Sequence, residues 1–242
     1  IWYAASQGVR GVFPARYNIA SSLSYVTGSQ IMKFGWQWAF GQEKNTTDLN
    51  ADLVQRYRNG VPDSVTVRNT PTLAEEKVNA DMGLYAQDQW TRKRMTINLG
   101  LRWDYLNSSI EETAVPGGRF VPFRQQVRVP NLPNFKSFSP RLGVAYDLFG
   151  NTKTALKASY GRYAETWFTG FARRYNPMTA QNEARTWNDT YGDDIAQHNE
   201  IGPPANRLFG IPVLTRRADA DLKRGYNTEL TVGIQHEIAS GF

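Results

Sequence analysis

The stretch Met95-Thr96-Ile97-Asn98-Leu99-Gly100-Leu101-Arg102-Trp103-Asp104-Tyr105 sorts its side chains strictly by parity. Met95, Ile97, Leu99, Leu101, Trp103 and Tyr105 fall on one side; Thr96, Asn98, Gly100, Arg102 and Asp104 fall on the other. Successive side chains of an extended chain point to opposite faces, so this stretch predicts a β-strand with one apolar and one polar face. Gln30 to Gly41 repeats the pattern, with Met32, Phe34, Trp36, Trp38 and Phe40 opposing Ile31, Lys33, Gly35, Gln37 and Ala39. Five further windows carry it more weakly, at about 17–26, 78–90, 140–149, 153–163 and 226–238. In the last, Leu230, Val232, Ile234 and Ile238 oppose Glu229, Thr231, Gln235 and Glu237.

Length says where such strands belong. Ile97 to Tyr105 spans roughly 30 Å at a rise of about 3.3 Å per residue. Tilted by about 40°, it covers some ~23 Å of depth, close to the ~25 Å apolar band of a membrane barrel. A strand of a soluble domain averages only about 5–6 residues. The mean hydropathy of −0.53 does not contradict this. No stretch approaches the ~18 consecutive apolar residues of a spanning helix, but a spanning strand needs apolar residues only at every second position.

The connections alternate between short and long. Gly28-Ser29, Arg92-Lys93-Arg94 and Gly150-Asn151 make the short ones; 42–77, 106–138 and 164–225 make the long ones. Structureless loops longer than about 15 residues argue against a compact soluble domain. In an outer-membrane barrel, short periplasmic turns and long extracellular loops are the expected arrangement. The pattern therefore predicts an all-β, antiparallel up-and-down meander of about seven strands, forming part of a transmembrane outer-membrane β-barrel with long extracellular loops.

Aromatic residues gather towards strand ends. Tyr25 and Trp90 lie beside short turns, and Trp38, Trp103, Tyr105 and Tyr160 lie towards the long connections, as the two girdles of a membrane barrel require. The opposite parity supplies the candidate lumen-facing residues: Lys33, Gln37, Asn98, Arg102, Asp104, Arg141, Lys157 and Glu229. Gly35, Gly83, Gly100, Gly143, Gly161 and Gly233 share that parity, which predicts room there for curvature or for an inserted plug. Asp88 shares the apolar parity instead, and is expected either to tolerate lipid near the turn or to be re-aimed by a bulge.

The segment Gly83-Leu84-Tyr85-Ala86-Gln87-Asp88-Gln89-Trp90, a basic turn, and then Ile97-Asn98-Leu99-Gly100-Leu101-Arg102-Trp103-Asp104 resembles a barrel hairpin of TonB-dependent receptors. Met32-Lys33-Phe34-Gly35, Ser139-Pro140-Arg141-Leu142-Gly143, Ser159-Tyr160-Gly161-Arg162-Tyr163 and Asn227-Thr228-Glu229-Leu230 follow the same family in order, and together look most like its Oar-like subgroup. The resemblance implies a barrel of about 22 strands with a plugged lumen. It also implies energy supplied through the TonB complex, and partners in membrane lipid, lipopolysaccharide and the plug domain of the same parent chain. Residues 1–242 then read as an internal part of that barrel, located in the bacterial outer membrane, with plug and remaining strands lying outside it.

Other chemistry finds little support. The chain has no cysteine, which excludes disulfides, thiol nucleophiles and thiolate metal sites, and only two histidines. A net charge of +6 raises nucleic acid as a partner, but the basic residues occur as separated pairs and triplets, read as solvated surface; no nucleic acid is expected. There is no phosphate-binding, zincin or hydrolase-elbow motif, so no enzyme, catalytic residue or cofactor is expected. The run Asn188 to Glu200, with Asp189, Asp193, Asp194, His198 and Glu200, misses the spacing of a calcium loop and reads as solvated, so no metal is expected. A passive porin or surface adhesin shares the strand chemistry. A soluble β-sandwich binding module would instead pack its apolar faces into a closed interior.

Overall fold

In an antiparallel sheet, residues directly opposite each other share a face, so parity in the sequence becomes a test of register. The computed structural model describes residues 8–214, 216–219 and 221–239. Its strands are β1 (Gly8–Thr27), β2 (Gln30–Leu49), β3 (Leu53–Arg58), β4 (Val61–Arg68), β5 (Thr72–Arg92) and β6 (Met95–Ile110). There follow β7 (Thr113–Val115), β8 (Arg124–Gln126), β9 (Asn134–Asp147), β10 (Thr154–Ala164), β11 (Asn182–Thr186) and β12 (Tyr226–His236). A single helical turn, α1 (Gly170–Arg173), precedes β11. Among the described residues no helix is long and apolar enough to cross a membrane.

Seven strands form one antiparallel sheet in the order β1-β2-β5-β6-β9-β10-β12. The meander is the expected one. The Thr91 N–H donates to the Ser29 carbonyl (2.8 Å) and the Asp147 N–H to the Arg94 carbonyl (2.9 Å), so the short turns sit side by side at one end. Gly28 takes φ +50° in the first of them, a conformation glycine adopts without strain.

Register carries the apolar parity across the whole sheet. One transverse row runs Tyr25, Met32, Asp88, Leu99, Leu142, Tyr160, Leu230. The rows beside it hold Leu23, Phe34, Ala86, Leu101 and Pro140, and Trp90, Ile97, Val144, Ala158 and Val232. This face is exposed, with Leu99 at 50% and Val232 at 75%, so its apolar side chains do not pack into an interior as a sandwich demands.

The rows also drift relative to the turns. Gln30 at the first turn opposes Trp90, two residues before the end of β5, and Met95 at the second opposes Tyr146, one residue before the end of β9. With strands about 4.8 Å apart, that drift amounts to a lean of roughly 30°, near the tilt of barrel walls.

The strands run well past the predicted windows at their loop ends. On β5 a bulge explains why. Its pairing slips by one residue against both neighbours, between Asp81 and Val78 opposite Ala39 and Gly41 of β2, and between Ala80 and Val78 opposite Asn107 and Ser108 of β6. The extra residue, at Asn79, exchanges the faces of β5 beyond it, so the alternation legible in the sequence stops there while the hydrogen-bonded strand continues.

Past the bulge, the polar side of the wall becomes the floor of a core. Val78, Leu106, Ile110 and Phe135 pack with Leu132 and with Phe171 and Ala172 of α1. The long connections, expected as plain loops, are structured. β3–β4 and β11 make a three-stranded sheet, and Val65, Val67, Val121, Trp187, Ala196 and Phe209 fill a second core between them. The first and third connections are thereby bound into one cap.

The outward row through Leu99 should be sensitive to charge and the opposite face should not. In bilayer-reconstituted protein, Leu99→Arg is expected to cost about 2–4 kcal/mol, and Lys157→Gln less than ~0.5 kcal/mol. Denaturant unfolding in vesicles checks both, and equal costs would contradict the assignment of faces.

Candidate functional site

All eight residues singled out for the polar face share one face of the sheet. Lys33, Gln87, Gly100, Arg141, Gly161 and Glu229 form one transverse row. Gln37, Gly83 and Asp104 form another, with Tyr85 and Arg102 in the row between. Asn98 opposes Gly143, and Lys157 opposes Ala145 and Gly233. Lys33, Gln37, Arg102 and Arg141 come together around a polar recess of about 210 Å³. The Arg102 Nε donates to Asp104 Oδ1 at 2.7 Å, the Lys157 Nζ donates to Gln235 Oε1 at 2.5 Å, and the Arg141 guanidinium sits 4.7 Å from the Tyr163 ring centre.

Three of the six glycines of this face do not leave open room, while Gly233 has nothing within 4 Å of where a side chain would begin and Gly100 and Gly143 have only ordinary contacts. The space beside Gly35 is taken by the Tyr85 ring, that beside Gly83 by the Arg102 guanidinium, and that beside Gly161 by the Tyr163 ring. A large neighbour laid over a glycine recovers packing that glycine lacks and pins the register.

The six girdle aromatics share the opposite, apolar face. Trp103 and Tyr105 stack with ring centres 6.2 Å apart, Trp38 lies 5.0 Å from Phe40, and the Arg92 guanidinium lies 5.9 Å from the Trp90 ring. Tyr160 is four residues short of the end of β10, nearer its middle than its loop end, in the same row as Tyr25. Asp88 is not re-aimed, since the bulge of β5 lies elsewhere. It stays in the apolar row between Met32 and Leu99, and its Oδ1 is enclosed without a hydrogen-bond partner among the described residues.

Parity did not reveal a polar cluster that joins the third connection to the wall. The third connection reaches back across the polar side of the wall as far as β1, where the Arg16 guanidinium lies 4.6 Å from the Phe168 ring centre. Glu43, towards the loop end of β2, accepts from Thr169 Oγ1 (2.7 Å), Arg173 Nη1 (2.8 Å) and Asn45 Nδ2 (3.0 Å). Glu76, opposite it on β5 and fully buried, accepts from Asn176 Nδ2 (2.7 Å), while its Oε2 has no partner among the described residues. These two carboxylates latch α1 to the wall.

They respond oppositely to pH, and both lie outside the spanning band. Burial works to raise the Glu43 pKa, but hydrogen bonds from Asn45, Thr169 and Arg173, with the Arg173 charge, carry it below its ordinary value. Burial lifts Glu76 to about 7, against the Asn176 hydrogen bond and the Arg173 charge, with Glu43 and Glu75 reinforcing the rise. One guanidinium balances one carboxylate, and the second carboxyl is most stable holding its proton.

The acidic run does bring Asp189, Asp193 and Glu200 together, with ligand oxygens within 4.8 Å of one another. Those oxygens are already engaged. Glu200 accepts from the N–H groups of Thr190, Tyr191 and Gln197 and from the Thr190 hydroxyl, and Asp189 accepts from the N–H groups of Gly192, Asp193 and Asp194. The cluster shapes its own loop.

An exposed apolar face of spanning length, a polar opposite face and an ordered cap at one end together define a membrane wall. Residues 3–242 match the outer membrane beta barrel domain. The chain belongs to that family. No curated protein and no solved structure matches it. As an outer membrane beta barrel domain it resides in the bacterial outer membrane, with the face of Leu99 towards lipid.

For Glu76, whose folded pKa is raised, docking of α1 is fully supported below its ordinary 4.5 and weakens as pH rises through about 7. For Glu43, whose folded pKa is lowered, support is complete above 4.5 and fails only in stronger acid. Amide protection factors over 165–178, which remove the intrinsic pH dependence of exchange, should therefore be larger at pH 5 than at pH 8, and Glu76→Gln should abolish that difference. Retention of the full difference in Glu76→Gln would exclude Glu76 as its source.

Proposed function

We propose that this chain forms an arc of wall and the cap of a TonB-dependent transporter of the Oar-like kind, which moves an unidentified substrate using energy drawn from the inner membrane. In this reading the chain catalyses no reaction. Its outer face meets bilayer lipid and lipopolysaccharide, and its charged inner rows meet a plug domain of the same parent protein. The TonB complex is engaged through that parent. Further strands continue from the edges of β1 and β12, since lipid cannot satisfy an open edge.

The observation that carries the proposal is the third connection folded over the inner side of the wall. A passive porin keeps its lumen open to solutes along its whole length. Here α1 is buried against β5 and β6 and tied to Glu43 and Glu76, so the passage is covered at the loop end unless something moves the cover. Gated passage of that kind calls for an energy source, and the hairpin motifs about Gly83–Trp90 and Ile97–Asp104 point to the same family. An adhesin needs no charged recess on its inner wall, so the surroundings of Lys33, Arg102 and Arg141 weigh against it.

The test uses the full-length protein. Planar bilayers containing it are expected to show no steady conductance, and a purified periplasmic domain of TonB is expected to capture it from detergent solution. Steady ohmic conductance without capture would establish the porin; absence of both would favour the adhesin.

A further inference from the structure

Between the second and third long connections lies a second cavity, of about 430 Å³. That volume lies within the ~300–1,000 Å³ usual for small-molecule sites. Its floor is aromatic. The Phe171 ring meets Phe135 edge-on with centres 5.4 Å apart and lies 5.3 Å from Tyr175. These rings belong to the core that docks α1 on the wall, so the floor is held in place before anything binds.

The rim has a different character. Arg216 and Arg217 line the cavity and are exposed, and neither has a hydrogen bond, ion pair or ring contact among the described residues. Several guanidinium groups elsewhere in the cap are engaged: Arg173 with Glu43, Arg124 with the Asn69 carbonyl, Arg224 with the Glu165 carbonyl. The one carboxylate on the rim, Asp219, is turned to its own backbone and accepts the Asp221 N–H at 2.8 Å. Among the described residues, two unpartnered cations therefore stand with one carboxylate above an apolar floor.

We propose that this cavity is a binding site for an amphipathic organic anion, with a flat or aliphatic body against Phe135, Phe171 and Tyr175 and a carboxylate, sulfonate or phosphate held by Arg216 and Arg217. Guanidinium forks match the geometry of such oxyanions and are less strongly hydrated than ammonium groups, so two of them beside an apolar floor favour this class over neutral or cationic ligands. Phe135 and Phe171 belong to the core on the inner side of the wall, away from the lipid-facing row through Leu99, so the site is reached from solution and not from the bilayer. The inference holds whether the barrel is energised or passive, because it concerns the cap alone.

The probe is naphthalene-2-sulfonate, titrated by calorimetry against the full-length protein in nanodiscs, with empty nanodiscs subtracted. One saturable site is expected. Arg216→Ala combined with Arg217→Ala should weaken it at least about tenfold, the loss expected for charge-assisted hydrogen bonds. Both positions are exposed, and unchanged amide exchange over 165–178 would show that the cap stays docked in the variant. Neutral naphthalene-2-sulfonamide should bind at least about tenfold more weakly than the sulfonate to the parent protein. Equal affinity for the neutral compound, or undiminished binding in the double variant, would overturn the proposal. So would displacement of the probe by lipopolysaccharide but not by soluble aryl carboxylates, since that would make the ligand a lipid.

Discussion

Lipid offers a peptide group no hydrogen-bond partner, and this one constraint governs the architecture. Each strand in the bilayer must be paired along its length, which leaves the side chains as the only means of meeting the solvent. The chain meets lipid with one parity and turns the other inward, so a single face carries Phe34, Leu99, Leu101 and Val144 while its reverse carries Lys33, Arg102 and Arg141. Asp88 departs from this rule, remaining in the lipid-facing row with an unsatisfied oxygen. The surrounding register, seven strands wide, is evidently stronger than the penalty of one carboxylate near the turn.

The bulge at Asn79 marks where that constraint ends on β5. Both neighbours register it, β2 between Ala39 and Gly41 and β6 between Asn107 and Ser108. Below it, inward positions hold polar side chains and glycines, several of them overlaid by larger neighbours. Above it, the inward positions of β5 and β6 become Val78, Leu106 and Ile110, and the wall serves as the floor of a conventional buried core. One pair of strands thus belongs to two solvents in succession, and the extra residue on β5 lets that strand change its frame without breaking the sheet.

This is also why the sequence was legible in part. Parity is local, so eleven residues from Met95 were enough to establish strand, face and approximate length, and the short turns followed from gaps between windows. The cap depended on partners far apart in the chain. β11 pairs with β4 across more than a hundred residues, Glu76 meets Asn176 a hundred positions away, and neither pairing leaves a periodic trace. Glu76 also sits just beyond the β5 bulge, where the reading frame of the alternation has slipped by one, whereas Glu43 keeps the parity of Lys33 and Gln37 but lies past the last apolar residues that made the parity readable. Three of the glycines failed as indicators for a related reason: Gly35, Gly83 and Gly161 were read as empty space, yet Tyr85, Arg102 and Tyr163 reach them from a neighbouring strand or from two residues along the same one.

The four residues of α1 concentrate what remains. Phe171 is part of the aromatic floor of the cap cavity, and Arg173, two positions on, reaches Glu43 on the wall. Both are carried by one helical turn, so neither contact survives intact if the turn leaves the wall. Proton uptake by Glu76 stabilises the docked turn, and an occupant resting on Phe171 does the same. Two effectors that favour one state of a shared element must favour each other, by reciprocity of binding free energies. Protonation and occupancy of the cavity are therefore coupled in the same direction, and the cover over the inner wall is held most firmly when both are present.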